Sequence, residues 1–426
     1  MARHATLLLV IVLSWSTAVD AAPPEGFGTR PEDLRMKLVT FGPGPDVHHL
    51  FGHSALWVED TRLGASFLYG YGMSSFGRGA AFEFLVKQPT FWAGRVPVQS
   101  AFFLYREQDR SISVQELDLT VEQRRRLLAR LQHDVRPEHR EYRYHPTEAN
   151  CATRLRDALD EALDGALRSA ATGPARLTPR EHLRRHAWRA PGVDLMLGLW
   201  LNATVDVPVT RWQEVFTPVE LARLVADVTL AEGADGRVRL VGRRYDEHLS
   251  RAGPVPEVPV STVRRELLIG TTLAVMAVLL AALRRCRGSR WVRVLFGLCH
   301  ALVGVTLGTV GLAGFVLRLL SEHPALRPEV GLLLANPLTF ALLPLGLAMA
   351  LGIGGAEQQA RRCVAVLCAG TLLALVLQLL PVTGAVSQVP LSLPLAANLG
   401  LGVAHGLLLR RAASATVSLH ARLQRT

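Results

Sequence analysis

The sequence predicts two fold classes in one chain: an exported mixed α/β domain and, after it, a multi-span α-helical membrane domain. Three observations lead to this prediction. The chain opens on a short apolar run between a positive region and small residues. Strand-like and helix-like patterns then alternate up to about residue 263, and beyond residue 266 long runs of Leu, Ala, Val and Gly dominate. The apolar share of 49% is an average that describes neither half.

The N-terminal segment has the three parts of a secretory signal peptide. A positive stretch at residues 1–4 precedes an apolar core at Ala5–Trp15, and small residues follow. The core is shorter than the ~20 residues that cross a bilayer. We therefore assign residues 1–22 to a cleaved signal peptide, residues 23–253 to an extracytoplasmic domain, and residues 254–264 to a Pro-rich linker.

Within the exported domain, strand and helix periodicities can be told apart. Alternating or short apolar runs predict strands at Met36–Gly42, Ala55–Val58, Phe67–Tyr71, Val96–Tyr105, Ile112–Leu117 and Val238–Leu240. Apolar residues three and four apart predict helices at Val121–His133, Cys151–Ser169, Pro179–Leu201 and Val219–Val228. This mixture predicts an α/β (α+β) domain.

Residues 265–411 are predicted to form a membrane domain of about five helices, with residues 412–426 as a cytoplasmic tail. The predicted spans are Leu267–Leu283, Val294–Leu320, Gly331–Leu351, Val364–Leu380 and Val389–Leu409. Arginines cluster after the first, third and fifth spans, whereas the loops around Pro324 and Thr383 carry little positive charge. The positive-inside rule therefore places the preceding domain outside the cytoplasm, in agreement with the signal peptide.

The formal charge of +11 could indicate nucleic acid or a membrane surface as a partner. Many arginines flank apolar runs, where they set membrane topology, and the sequence has no phosphate loop, zinc-finger spacing or RNA-binding motif. We therefore expect a lipid bilayer, and no nucleic acid, as the partner.

Cys151 is the one cysteine of the five that lies in the predicted exported domain, so it has no local disulfide partner. Asn150 is a favoured helix N-cap, which places Cys151 in the first turn of its helix. The partial positive charge at a helix N-terminus is expected to lower the thiol pKa. We interpret Cys151 as a nucleophile; the alternative is a small buried hydrophobic residue.

His53 is the candidate base for Cys151, because a thiol nucleophile is usually activated by histidine. It stands at the head of a predicted core strand, directly after Gly52. A structural histidine, or a metal cluster of His48, His49 and His53, is the alternative. Gly52 and the neighbouring aromatic and β-branched residues disfavour a helical metal motif, and we predict no metal and no cofactor.

These residues carry a resemblance to a known family. A Gly-His-Ser strand followed about a hundred residues later by an Asn-Cys helix start resembles the extracytoplasmic domain of Lnb-type lipoprotein N-acyltransferases. Further similarities are the Tyr-x-Tyr before the cysteine, the Tyr-Gly-Tyr-Gly at Tyr69–Gly72 and the Trp-Gln-Glu-Val-Phe-Thr-Pro at 212–218. In the membrane half, Glu322-His323-Pro324 and Asn336-Pro337-Leu338 are also similar. The His-before-Cys order resembles the permuted NlpC-type papain-like fold of the lecithin–retinol acyltransferases.

The resemblance implies a papain-like domain in which Cys151 attacks a lipid ester and His53 acts as general base, then acid. It implies transfer of a fatty acyl chain, from a phospholipid donor or a lipoprotein acyl chain, to the N-terminal amine of a diacylated lipoprotein at the bacterial inner membrane. Other residues receive weaker expectations: Tyr69 or Tyr71 as an orienting group, Asn150 as a cap or an oxyanion contact, Arg154 and Asp157 as an ion pair or lipid-binding pair, and His323 and Asn336 in a substrate role.

Two other functions remain open on the sequence. An exported Cys/His domain could be a cell-wall amidase or peptidase, although such hydrolases rarely need five spans. The chain could also be a non-catalytic membrane scaffold or transport component. The spans contain almost no charged residues, which disfavours an ion or proton pathway.

Overall fold

The computed structural model describes residues 22–74, 80–232, 236–379 and 392–423. The signal-peptide assignment, the loop around Thr383 and the end of the predicted tail lie outside these residues. The chain divides into an N-terminal unit, residues 1–189 and 208–259, and a helical unit, residues 190–207 and 260–426. The helical unit thus takes residues 190–207 from the segment that the sequence assigned to the exported domain.

The N-terminal unit is built on a seven-stranded antiparallel sheet. The strands are β1 Leu34–Phe41, β2 His53–Asp60, β3 Ala65–Met73, β4 Thr90–Pro97, β5 Ile112–Leu117, β6 Glu141–Arg143, β7 Thr229–Glu232, β8 Gly236–Arg239 and β9 Val241–His248. Their order in the sheet is β6-β4-β3-β2-β1-β5-β9, while β7 and β8 form a separate hairpin. Strand β9 was not predicted: its residues are exposed or half-buried, so no alternation of buried and exposed positions marks it.

The helices of this unit cover both faces of the sheet. They are α1 Ala80–Val86, α2 Val98–Glu107, α3 Val121–Asp134, α4 Cys151–Ala162, α5 Ala166–Ala170 and α6 Pro179–His186. Residues 190–207 of the helical unit then supply α7 Pro191–Trp200, and the N-terminal unit resumes with α8 Arg211–Glu214 and α9 Pro218–Asp227. The predicted strand at Val96–Tyr105 is wrong, because the chain leaves β4 at Pro97 and continues as helix α2.

Successive residues of each strand point to opposite faces of the sheet, and both faces are buried. Leu56 of β2 pairs with Tyr69 of β3 and packs with Leu155 of α4 on one face. Ala55 pairs with Gly70 and packs with Phe102 of α2 on the other. The mixed α/β class is therefore confirmed, with an antiparallel sheet between two helical layers.

The helical unit contains four helices long and apolar enough to cross a membrane, or five spans if one bent pair counts as a span. The helices are α10 Val263–Arg287, α11 Arg290–Leu320, α12 Gly331–Leu334, α13 Leu342–Leu351, α14 Ala356–Leu379 and α15 Ser392–Leu423. The predicted third span, Gly331–Leu351, is interrupted: Pro324–Leu334 and Pro337–Leu351 meet at 55°. Pro337 breaks the helix because proline removes a backbone donor.

Small residues allow close packing inside the helical unit. Gly297 and Gly346 face each other, since a methyl group built on either would lie 2.4 Å from the other's carbonyl oxygen. Trp200 of helix α7 donates its indole N–H to the carbonyl of Val310 at 3.0 Å. Backbone contact between small residues is typical of packed membrane helices.

Candidate active site

Cys151 begins helix α4, as the sequence predicted, and Asn150 holds that start in place. The Asn150 side-chain oxygen accepts from the N–H groups of Ala152 and Thr153 at 2.9 and 3.0 Å. The Asn150 amide nitrogen donates to the carbonyls of Pro146 and Phe216 at 2.6 and 2.8 Å. Both polar ends of Asn150 are therefore engaged by the backbone, which assigns it the role of a cap.

Two glycines of β3 bring Cys151 and His53 together. A methyl group built on Gly72 would lie 3.6 Å from Cβ of Cys151, and one built on Gly70 would lie 3.3 Å from Nε2 of His53. Residues two apart on a strand are separated by about 7 Å. The N–H of Ser54, the residue after His53, is directed at the Cys151 sulfur. The helix-borne cysteine and the strand-borne histidine therefore lie beside neighbouring positions of β3, at the same end of the sheet.

His53 is a neutral base in this environment. Burial, and then the charge of Arg110, lower its pKa to about 4. The His53 ring stacks on Phe41 with a centroid distance of 6.1 Å, and within the part of the chain that the structure describes it has no side-chain hydrogen bond. An imidazole that is neutral and unprotonated at physiological pH can accept a thiol proton.

The expected lowering of the Cys151 pKa is wrong. Burial raises the pKa of the thiol above its ordinary value. The N–H groups of Ser54 and Ala152 and the charge of Arg110 lower the pKa, but they do not offset burial. The resting site therefore holds a neutral thiol beside a neutral imidazole, with donors already aimed at the sulfur.

Tyr69 and Tyr71 are not placed to orient His53. Both lie on the α4 face of the sheet, whereas His53 belongs to the opposite face with Phe41. The hydroxyl of Tyr71 donates to Asp134 at 2.7 Å. Burial raises the pKa of Tyr69, and Arg95 opposes that rise. The prediction of an orienting tyrosine at these positions is wrong.

The predicted ion pair between Arg154 and Asp157 does not form. Asp157 instead accepts two hydrogen bonds from its neighbour Arg156, at 2.9 and 2.7 Å. The Arg154 guanidinium lies over the rings of Tyr142 and Tyr71, 4.8 and 5.6 Å from their centroids. Arg154 and Asp157 do lie three residues apart on the helix. The Arg154 guanidinium nevertheless packs against the two aromatic rings instead of pairing with Asp157.

His323 and Asn336 lie in the helical unit. His323 is buried at the start of the 3-10 turn Pro324–Leu326. Asn336 precedes the 3-10 turn Pro337–Ala341, and its side chain accepts from the N–H of Leu338 at 2.9 Å. Asn336 thus caps the second half of the bent span, and a substrate role for either residue stays a prediction.

Sequence reasoning missed Arg110, which follows helix α2 in the turn before β5. Its side chain is 2% exposed, its Nε donates to the carbonyl of Gly42 at 2.9 Å, and its guanidinium lies 4.4 Å above the ring of Tyr105. Arg110 acts electrostatically on both Cys151 and His53. No local pattern marks it, because only the sheet register brings residue 110 to this end of the fold.

A metal at this site has no ligand set in the part of the chain that the structure describes. Those residues contain no group of three or more His, Cys, Asp and Glu side chains that could hold an ion. Nδ1 of His49 lies 3.6 Å from a carboxylate oxygen of Asp46.

A match to a known family model identifies the domain that contains this site. Residues 28–185 match the family described as the Lnb N-terminal periplasmic domain. The N-terminal unit is an Lnb-type periplasmic domain. The match includes both His53 and Cys151, and the resemblance noted in the sequence is confirmed. Comparisons with curated proteins and with solved structures gave no match.

The Lnb-type domain is followed by the apolar helices of the helical unit. The chain is accordingly an Lnb-like multi-pass membrane protein whose N-terminal domain is periplasmic. The family match ends at residue 185, whereas the N-terminal unit also uses residues 208–259, which contribute β9 and the Phe216 carbonyl bound by Asn150.

Proposed function

We propose that the protein is a lipoprotein N-acyltransferase of the bacterial inner membrane, with Cys151 as the nucleophile and His53 as the base. The observation that supports the proposal is that these two side chains lie beside Gly72 and Gly70 of one strand, inside residues that match an Lnb N-terminal periplasmic domain. A cysteine at a helix N-terminus beside a neutral histidine is the arrangement used for nucleophilic catalysis through a thioester.

In the first half-reaction, His53 takes the proton of the Cys151 thiol, and the sulfur attacks the carbonyl carbon of a glycerolipid ester. A C–S bond forms, the ester C–O bond breaks, and the departing alkoxide takes the proton held by His53. The products are an acyl thioester on Cys151 and a lipid alcohol. The backbone N–H groups of Ser54 and Ala152, which already point at the sulfur, are donors for negative charge in this step.

In the second half-reaction, the neutral α-amine of a diacylglyceryl-cysteine lipoprotein attacks the thioester. A C–N bond forms, the C–S bond breaks, and the amine proton passes through His53 to the thiolate, which restores Cys151. The acyl donor is a phospholipid or a lipoprotein acyl chain. Both reactants are lipids that reside in the bilayer, which gives a physical reason for joining this domain to membrane spans.

Intact mass spectrometry of the full chain in detergent tests this proposal. Wild-type protein and Cys151→Ala are incubated with a defined phospholipid and a diacylated lipopeptide. The expected result is a fatty-acyl mass on wild-type protein, labile to hydroxylamine and passed to the lipopeptide amine, and neither event in Cys151→Ala. Cys299→Ala, which changes a buried cysteine of the helical unit, is the matched control and should behave as wild type.

Folded wild-type protein that forms no adduct and transfers no acyl group would contradict the proposal. Cleavage of a peptidoglycan peptide that depends on Cys151 would then favour the cell-wall hydrolase. Full biological activity of Cys151→Ala would instead favour a scaffold.

A further inference from the structure

Arg110 is a buried cation without an anionic partner in the part of the chain that the structure describes. Within the described residues, no carboxylate oxygen lies within 4.0 Å of its guanidinium, and the whole residue is 2% exposed. The carboxylate of Asp46, in the loop before β2, favours the charged form of Arg110, but the Asp46 side chain is 56% exposed. Burying an unpaired charge is unfavourable, and burial accordingly lowers the pKa of Arg110.

The surroundings fix the Arg110 guanidinium firmly although they do not neutralise it. Its Nε is held by the Gly42 carbonyl, and one face lies on Tyr105. Tyr105 stacks on Phe41 at 3.8 Å, and Phe41 stacks in turn on His53 at 6.1 Å. A side chain on Gly44 would collide with this arrangement, since a methyl group there would lie 3.1 Å from Cδ of Arg110. Packing therefore holds the charge at one end of the row of rings that leads through Tyr105 and Phe41 to His53.

We propose that the anion missing from Arg110 is the thiolate of Cys151, so that Arg110 is an electrostatic positioning residue of the acyl-transfer site. The proposal rests on Cys151 being the nucleophile. Arg110 acts through Cys151 and His53: it favours the charged sulfur and disfavours a charged imidazole. Its effect is largest when the thiol proton has left, because only then does a negative charge face the guanidinium.

The other titratable and charged groups around Cys151 do not supply this charge. Tyr105, Tyr142 and Tyr144 all have their pKa raised by burial, so they are neutral at physiological pH. Arg154 is engaged with the rings of Tyr142 and Tyr71. His53 is neutral, and Asp46 opposes rather than assists a thiolate. Arg110 is the described cation whose charge lowers the Cys151 pKa.

The experiment measures the rate of Cys151 alkylation by iodoacetamide against pH, with the full chain in detergent and with mass spectrometry of the Cys151 peptide. Arg110→Met should move the midpoint upward by about one pH unit, which is about a tenfold slower reaction below the midpoint. Arg110→Lys keeps the charge and should recover most of the rate. Arg110→Gln should behave like Arg110→Met while keeping a donor for the Gly42 carbonyl, and it replaces Arg110→Met if that variant does not fold.

Arg106→Met is the matched control, because Arg106 lies near the end of helix α2, just before Arg110, but pairs with Glu247 at the surface. Its midpoint should equal that of wild type. Equal midpoints for wild type, Arg110→Met and Arg110→Gln would overturn the inference, as would a loss in Arg110→Lys as large as in Arg110→Met. Since alkylation needs no acyl donor, a shifted midpoint in a protein that transfers no acyl group would reject the proposed function and retain the role of Arg110.

Discussion

Two histidine environments of the N-terminal unit, around His182 and around His53, differ in how completely the ring nitrogens are used. His182 places Nε2 2.8 Å from a Glu214 carboxylate oxygen and accepts from Arg185 through Nδ1 at 3.1 Å. The Arg185 donor fixes the neutral tautomer with its proton on Nε2. His53, by contrast, has neither a carboxylate nor a hydrogen-bonded neighbour among the described residues.

The difference indicates which histidine is free to move a proton. Around His182, Glu214 also accepts from the N–H groups of Arg176 and Leu177 at 3.1 Å. Burial alone would raise the Glu214 pKa, but these hydrogen bonds hold it below its ordinary range. A ring whose two nitrogens are both occupied stabilises the fold, whereas a ring that is packed but unbonded next to a thiol is available for chemistry.

Replacing His53 should have the largest effect, and the effect should be on the rate of acyl transfer. His53→Asn is expected to slow acyl transfer by a factor of about 100 to 10,000, the usual contribution of a general base. The thermal unfolding midpoint should change little, since His53 makes no hydrogen bond in the described chain. Transfer rates and unfolding are measured on the same preparation. A variant with wild-type transfer would exclude His53 as the base.

Replacing Glu214, the hydrogen-bond partner of His182, should lower stability and leave the reactivity of Cys151 unchanged. Glu214→Gln removes a buried charge that accepts three hydrogen bonds and should destabilise the N-terminal unit by about 2 kcal/mol. The pH profile of Cys151 alkylation should not shift. Glu122→Gln, at an exposed ion pair on α3, is the control and should leave stability unchanged. A shifted alkylation profile in Glu214→Gln would mean that the two environments are coupled.

Acid should destabilise the N-terminal unit through the histidines that the fold keeps neutral, His53 and His186. The pKa is lowered to about 4 at His53 and to about 3 at His186. Below about pH 6.5 these histidines bind protons in the unfolded chain but not in the folded one. The free energy of unfolding therefore falls as the pH drops from about 6.5 towards 4. His53→Asn should flatten part of that loss when unfolding is followed across the range. An unchanged slope would mean that His53 is not held neutral by the fold.

Smaller changes test the shape of the site. Gly70→Ala places a methyl group 3.3 Å from His53 Nε2 and should lower acyl transfer by about tenfold with little loss of stability, because activity is sensitive to small displacements. Gly192→Ala is the matched control, since Gly192, like Gly70, has no positive φ, and a methyl group there would meet only open space. Equal activity in Gly70→Ala and wild type would show that His53 tolerates displacement.

The smallest expected effect separates structural from catalytic tyrosines. Tyr71→Phe removes the hydroxyl that donates to Asp134 and should destabilise the N-terminal unit by about 1 kcal/mol. Its alkylation profile and its transfer rate should stay at the wild-type values. A loss of transfer larger than the loss of stability explains would restore Tyr71 as a site residue.

Local sequence signals predicted the parts of the site that local structure determines. Asn150 before Cys151 correctly predicted a capped helix start, and the strand after Gly52 correctly placed His53 at its head. The thiol pKa was predicted in the wrong direction, because burial depends on segments far apart in the chain and opposes the helix N-terminus. Arg110 was missed for the same reason: its position depends on the pairing of β1 with β5.

The route of the chain through the N-terminal unit has a consequence for biogenesis. Asn150, the cap of helix α4, donates a hydrogen bond to the carbonyl of Phe216. The last strand of the sheet along the chain, β9, ends at His248. Between the family-matched region and these closing elements, residues 190–207 fold with the helical unit instead. During synthesis the nucleophile therefore cannot reach its final setting when residue 185 emerges. The sheet around Cys151 and His53 is complete only after about sixty further residues, up to the end of β9, have crossed the membrane. Synthesis has by then nearly reached the first span, α10.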